Sequence, residues 1–432
     1  MRQSSAPHEQ GRIPALDGLR GIAVLLVMVY HFSYAWYFSA SPLDGAYARV
    51  SAMGWVGVDL FFVLSGFLIT GILCDSRERA GYFSSFYARR ILRIAPLYYA
   101  FVLVVLPLAA WLGAPDPAHS LAALRSQIGW YLGYAVNFML ALRGGWEAPV
   151  LPTGHLWSLA LEEQFYLVWP PLVLLLSRRA LIRTSAALVL VALLVRVGMR
   201  LGGEGEVAAY VLPFARMDAL LLGALVALAV REMGSVKPLA RYAPRVLALS
   251  GVVAAATLAS APARKSFASP WVQTVGLTAI GVFFAALLVT ALAAPAGSRW
   301  ERTLRAPSLC TFGKYSYGLY IFHPLVVTVL EAAGWGADRF LGLGAQFEIP
   351  VHLVFGAFAT LVSLGVAWSS WHLMEKHFLR LKDRYQTRPE TAIPVPRPKT
   401  AVPVPRPRTP GPVPRPKAAE PVPAGGATAP AL

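Results

Sequence analysis

Apolar stretches of about twenty residues recur along this chain from position 21 to position 373, the length at which a helix crosses the hydrocarbon core of a bilayer. Residues that satisfy their backbone groups within one segment are the solution lipid demands, so the pattern predicts an all-α polytopic membrane protein. Composition agrees: 56% of the 432 residues are hydrophobic and only 14% are charged. The first apolar segment is long enough to span and no small-residue cleavage site follows a short apolar core, so it is expected to remain as a helix. The two cysteines, Cys74 and Cys310, fall near predicted cytoplasmic helix ends and suggest neither a disulfide framework nor a thiolate metal site.

A net charge of +17 would point a soluble protein toward nucleic acid. Here the basic residues sit mainly in short loops and the tail, where they report topology, and no nucleic-acid partner is expected. Clusters at 77–93, 178–183, 231–245, 299–314 and 376–384 should all be cytoplasmic. They can be so only if the short segment 127–142, followed by the Gly- and Pro-rich RGGWEAPVLPTG, does not cross but re-enters or lies at the outer surface. About ten spans result, at 18–38, 53–74, 94–113, 156–176, 184–201, 209–230, 246–262, 271–294, 315–333 and 349–373, with both termini cytoplasmic. The expected organisation is an N-terminal cytoplasmic segment 1–12, a transmembrane domain 13–385, and a basic tail 386–432 with three copies of PVPRP. That tail reads as disordered polyproline-type chain, a solvated extension that could also lie on anionic lipid or bind a proline-recognising partner.

Against this apolar background the ionisable groups stand out. Arg20 and His31 are eleven positions apart on the first helix, about three turns, so they share a face and stand about 16 Å apart along its axis. His31 reads either as a site residue or as a hydrogen-bonded packing histidine. Estimated depth puts Asp59, Ser65, Glu162, Glu163 and His323 near the level of His31, with Arg216 and Asp218 adding further charge. Local pairs, Arg216 with Asp218 or Asp17 with Arg20, could be structural neutralisation. Imidazole is suited to removing a proton from an attacking hydroxyl, and a carboxylate from Asp59, Glu162 or Glu163 could orient its tautomer. Arg90 and Arg93, at i and i+3 where a helix is expected to begin, suit phosphate or, equally, a lipid head-group contact. No nucleotide-binding loop or metal signature is present, and no metal is expected.

In order along the chain, RIPALDGLRGIAVLLVMVYHF, GWVGVDLFFVLSGFLIT, FYARRILRIAPLYY, HLWSLALEEQFYLVWP, FARMDALLLGALVA and YSYGLYIFHP resemble the acyltransferase-3 family of bacterial membrane-bound O-acyltransferases. The resemblance covers about residues 12–385. The family's paired arginine and histidine fall on Arg20 and His31, its RxxR motif on Arg90 and Arg93, and its SLxxE element on Ser158, Leu159 and Glu162. The resemblance implies transfer of an acyl group, commonly acetyl, from cytoplasmic acyl-CoA to a hydroxyl of a glycan or small-molecule acceptor, in the bacterial plasma membrane. Arg90, Arg93 and Arg20 would hold the coenzyme phosphates. His31 would act as base or as acyl carrier, and Asp59 or Glu162 would hold the imidazole. Some relatives carry a C-terminal SGNH-type domain, whereas the tail here contains no GDS block. The acceptor is therefore expected either to reach the membrane core directly or to receive the group from a separate soluble transferase. Two rival readings are a transporter or flippase that uses the buried charges as a pathway, and a scaffold that recruits partners through PVPRP.

Overall fold

The computed structural model describes residues 13–34, 41–113, 116–146, 151–337, 339 and 348–381. The segment 1–12, the tail 386–432 and the expected end of the first span at 35–38 lie outside the described residues. Among the described residues all regular secondary structure is helical.

Six stretches are long and apolar enough to cross a membrane by length and composition: Pro14–Ser33, Pro42–Ser76, Tyr82–Leu112, Arg178–Leu201, Val272–Leu292 and Ile349–Leu381. Each overlaps one of the ten expected spans. The other four expected spans are also helical, but are shorter or carry more polar groups: Trp157–Leu175, Asp218–Glu232, Ala243–Ala259 and Pro307–Ala332. The expected span 209–230 is not continuous. Pro213 forces Leu212 into extended backbone (φ −75°, ψ 141°), which separates Glu206–Val211 from the short turn Pro213–Arg216 and the helix beyond it.

The segment 127–142 holds a short turn between two helices. Pro117–Leu132, capped by the Asp116 side chain on the His119 amide, ends at Gly133; Tyr134 takes a positive φ of 49°, and Val136–Arg143 follows. Arg143 Nη1 donates to Gln127 Oε1 at 3.0 Å, so the second helix returns alongside the first. The tip is held by Tyr98 and Tyr99, whose hydroxyls donate to the carbonyls of Tyr131 and Leu132. The hairpin is longer than the sequence suggested, because its descending arm starts at Pro117.

Basic clusters from separate loops meet at one end of the bundle. Arg231 forks onto Asp75 (2.9 and 2.7 Å), Arg178 reaches Glu232 and the Arg231 carbonyl, and Arg77 donates to the Leu174 carbonyl. The centre is drawn together by glycines. A Cβ on Gly66 would overlap the Leu220 carbonyl and one on Gly223 the Val63 carbonyl, which binds Gly57–Ser76 to Asp218–Glu232 backbone to backbone. Gly21 and Gly313 play the same part between Pro14–Tyr34 and Pro307–Ala332, the helices that bear His31 and His323, and Gly18 seats the first of them on Leu304 at the end of Arg299–Leu304.

Candidate active site

Two cavities lie end to end along the central helices. The one nearer the basic end, about 200 Å³, is lined by Arg20, Arg90, Arg93, Ser65, Glu162 and Tyr166 among others. The other, about 350 Å³, holds His31 and His155 in a largely aromatic wall that includes Trp55, Trp146, Trp157 and Tyr210. Arg20 and His31, on one face of the first helix, therefore reach different chambers.

The arginine chamber draws on five helices. Among the described residues none of Arg20, Arg90 and Arg93 forms a salt bridge, and the Nε atoms of Arg20 and Arg90 are buried without a hydrogen-bond partner. Arg90 lies 5.9 Å from the centre of the Tyr166 ring and 6.0 Å from that of Phe86, positions that hold a guanidinium by its face and leave its edge available. Tyr166 donates to Glu162 Oε2 at 3.0 Å and meets the hydroxyl of Ser65, a chain of polar groups down one wall. Glu163, on the next face, lies within electrostatic reach of Arg90, and Asp17 within that of Arg20. The expectation that Arg90 and Arg93 stand where a helix begins is corrected. That helix starts at Tyr82, after Gly81 in the left-handed region (φ 75°), so both arginines sit in its middle and its N-terminal amides do not face them.

The histidines carry their own tautomer argument. His31 Nδ1 lies 2.9 Å from the Val27 carbonyl, an acceptor only, so Nδ1 bears the proton and Nε2 keeps its lone pair. His323 Nδ1 lies 3.0 and 2.9 Å from the carbonyls of Leu319 and Tyr320 and is protonated for the same reason. Its Nε2 stands 3.2 Å from His31 Nδ1 and accepts from it. In its neutral form His31 therefore carries its lone pair on Nε2, and its Nδ1–H is shared between the Val27 carbonyl and a fully buried second histidine.

This corrects the role expected of the carboxylates. Asp59 pairs with Arg216 (2.9 Å, both side chains fully buried), and Glu162 hydrogen-bonds Tyr166 in the arginine chamber; the groups that meet His31 Nδ1 are the Val27 carbonyl and His323 Nε2. The local pair Arg216–Asp218 is also replaced. Asp218 binds Arg196 at 2.8 Å, with Thr278 bridging both, while Arg216 stacks on Tyr210 at 4.9 Å and backs the aromatic wall. Two ion pairs between helices neutralise four buried charges, an arrangement that sequence neighbours could not reveal. Ser158 lines the arginine chamber, bonded to Tyr320 (2.5 Å) and the His155 carbonyl (3.2 Å).

His155, Tyr320, Tyr166 and Arg196 were not singled out from the sequence. Arg196 had a visible signal, an arginine in the apolar run VALLVRVGM. His155 opens the HLWSL run, three positions before Ser158, but its packing beside His31, with ring centres 6.4 Å apart, is a tertiary fact.

A family model described as an acyltransferase domain, acyltransferase-3, matches residues 13–371. The O-acetyltransferase OatA of Staphylococcus aureus is 28% identical over 334 residues, 73% of this chain and 51% of that protein. The peptidoglycan O-acetyltransferase OatA of Listeria monocytogenes is 27% identical over 332 residues, 73% of this chain and 50% of that protein. The chain thus spans about half the length of the curated relatives it matches. No solved structure gives a significant match. With nearly all of the helical core inside one family match, and the arginine and histidine chambers built from its residues, the chain belongs to the acyltransferase-3 family.

Proposed function

We propose that this chain transfers an acyl group, acetyl in the simplest case, from acyl-CoA to a sugar hydroxyl in a bacterial plasma membrane. The observation that carries this reading is the division of one helix face between two chambers, Arg20 in the basic one and His31 in the aromatic one. In the ten-span arrangement with both termini cytoplasmic, the basic chamber opens toward the cytoplasm, where acyl-CoA resides. Guanidinium groups with no carboxylate in salt-bridge contact suit the coenzyme phosphates, because their forks match phosphate oxygens. The pantetheine arm then runs along the helix, and the roughly 16 Å from Arg20 to His31 brings the thioester to the aromatic chamber. Apolar aromatic walls with a few polar groups suit a sugar ring, and the Listeria relative's name points to a glycan of the cell wall as one such acceptor.

In the transfer step His31 Nε2 takes the proton of the acceptor hydroxyl as its oxygen attacks the thioester carbonyl. The carbon–oxygen bond forms, the carbon–sulfur bond breaks, and the thiolate of coenzyme A leaves and is protonated. As His31 becomes imidazolium, its Nδ1–H bond to His323 strengthens into a charge-assisted one. Asp59, Arg216 and Asp218 hold the walls and touch neither substrate. Loss of a general base typically costs about 10² to 10⁴-fold in rate. Membranes containing wild type and His31→Ala, given isotopically labelled acetyl-CoA, should therefore differ by that factor in base-labile label recovered from glycan fractions. Equal label in both, with the variant folded, removes His31 from the mechanism. No label in either removes acetyl-CoA as donor.

A further inference from the structure

Val58 and Tyr320 line both chambers. Tyr320 is the larger of the two and is fixed at both its ring and its hydroxyl. The hydroxyl donates to the His155 carbonyl at 3.0 Å, and Ser158 Oγ stands 2.5 Å from it. Ser158 Oγ also reaches that carbonyl, at 3.2 Å, so both hydroxyls converge on one acceptor and either can donate across the short contact between them. Ser158 and His155 belong to a different part of the chain from Tyr320, so the ring bridges Pro307–Ala332 to the start of Trp157–Leu175. Its edges pack against Phe61 (ring centres 6.1 Å apart, planes at 77°) and His155 (5.5 Å, 60°). Only 6% of the residue is exposed.

The geometry points to Tyr320, pinned by Ser158 and the His155 carbonyl, as a partition that holds a bound thioester on the arginine side, away from water at His31, and lets it pass into the His31 chamber only when an acceptor fills that chamber. This rests on the reading of the two chambers as donor and acceptor sites. Its chemical logic is that His31 Nε2 does not distinguish a sugar hydroxyl from water by basicity alone. If water in the His31 chamber met the thioester freely, His31 would take a proton from it, the carbon–oxygen bond would form, the carbon–sulfur bond would break, and acetate and coenzyme A would result. An aromatic ring held by hydrogen bonds to a second helix excludes that reaction without removing the base. Tyr320 is on this account a positioning residue, with the selectivity for acceptor over water as its signature.

The test has two readouts on the full-length chain. For access, Cys74→Ser and Cys310→Ser are combined with Thr328→Cys in the His31 chamber or Leu68→Cys in the arginine chamber, both lining positions. A charged, membrane-impermeant thiosulfonate is then supplied to the face of sealed vesicles on which the basic clusters lie. Leu68→Cys should react with or without Tyr320. Thr328→Cys should be protected while Tyr320 is present and should react once Tyr320→Ala is added. Reaction of Thr328→Cys from that face with Tyr320 in place, or its protection in Tyr320→Ala, overturns the partition. For chemistry, Tyr320→Ala should raise acceptor-independent release of coenzyme A from acetyl-CoA several-fold over wild type, and adding His31→Ala should abolish the rise. Tyr320→Phe, which keeps the ring and is the milder change should Tyr320→Ala fail to fold, should give a smaller rise. No rise in a folded variant whose access has changed overturns the water-excluding role if wild type transfers label from acetyl-CoA, and overturns acetyl-CoA as the donor if wild type transfers none.

Discussion

The chain places arginines inside its helical core in two ways. Arg196 and Arg216 have no exposed side chain and each contacts a carboxylate within 3 Å, Asp218 for one and Asp59 for the other. Arg20, Arg90 and Arg93 are half-buried around one cavity and form no salt bridge among the described residues. An arginine sunk in a low-dielectric interior is tolerated when its charge is answered there, so the first pair reads as part of the framework. Around the second group Asp17, Glu162 and Glu163 lie within electrostatic reach, but among the described residues none makes a salt bridge to it, which leaves guanidinium edges for solvent or an anionic ligand in the cavity. The contrast separates charges that hold helices together from charges held ready for a substrate.

The largest expected effect lies in the paired set. Removing one partner, Asp218→Leu or Arg196→Leu, leaves an uncompensated buried charge and should cost about 3–5 kcal/mol of stability, read as early thermal unfolding in detergent. The double variant should recover much of that loss; if single and double variants unfold alike, the pair is not the framework element described. In the cavity the balance should reverse. Arg93→Met should leave thermal stability nearly unchanged while weakening donor binding by about 1.5–3 kcal/mol, roughly 10- to 150-fold, as measured by titration with acetyl-CoA. A stability loss as large as that of Arg196→Leu would erase the distinction between the two groups. Arg93→Lys keeps the charge but loses the fork, so its binding defect should be smaller, about 1 kcal/mol or roughly fivefold. The smallest effect is expected at the exposed end of the bundle. Glu232→Gln breaks contacts with Arg178 and Arg179 whose side chains are 38–83% exposed, and should shift stability by about 0–1 kcal/mol.

Much of this organisation is legible in the order of residues. Long apolar runs announce helices, since hydropathy is a local property, and the Gly- and Pro-rich RGGWEAPVLPTG marks where the run before it ends. Arg20, His31, Arg90, Arg93 and Glu162 are conspicuous because charge in an apolar helix is costly wherever it faces. Pairing is another matter. Arg216 and Asp218, two positions apart, look like partners, yet adjacent helical turns and the Pro213 break send one to Asp59 and the other to Arg196. Asp59 looked suited to orienting His31 because it shares its estimated depth, but depth fixes only one of the three coordinates that a hydrogen bond needs.

The sequence by itself determined the helical membrane architecture and made the ionisable groups in apolar runs conspicuous, because hydropathy and helix periodicity act over a few residues. Tertiary structure alone decided which charges neutralise one another, that His323 meets His31, and that Tyr320 stands between two chambers. Those facts depend on which faces of distant helices meet, and glycine contacts such as Gly66 against Leu220 and Gly313 against Asp17 set that meeting to within a side chain's width.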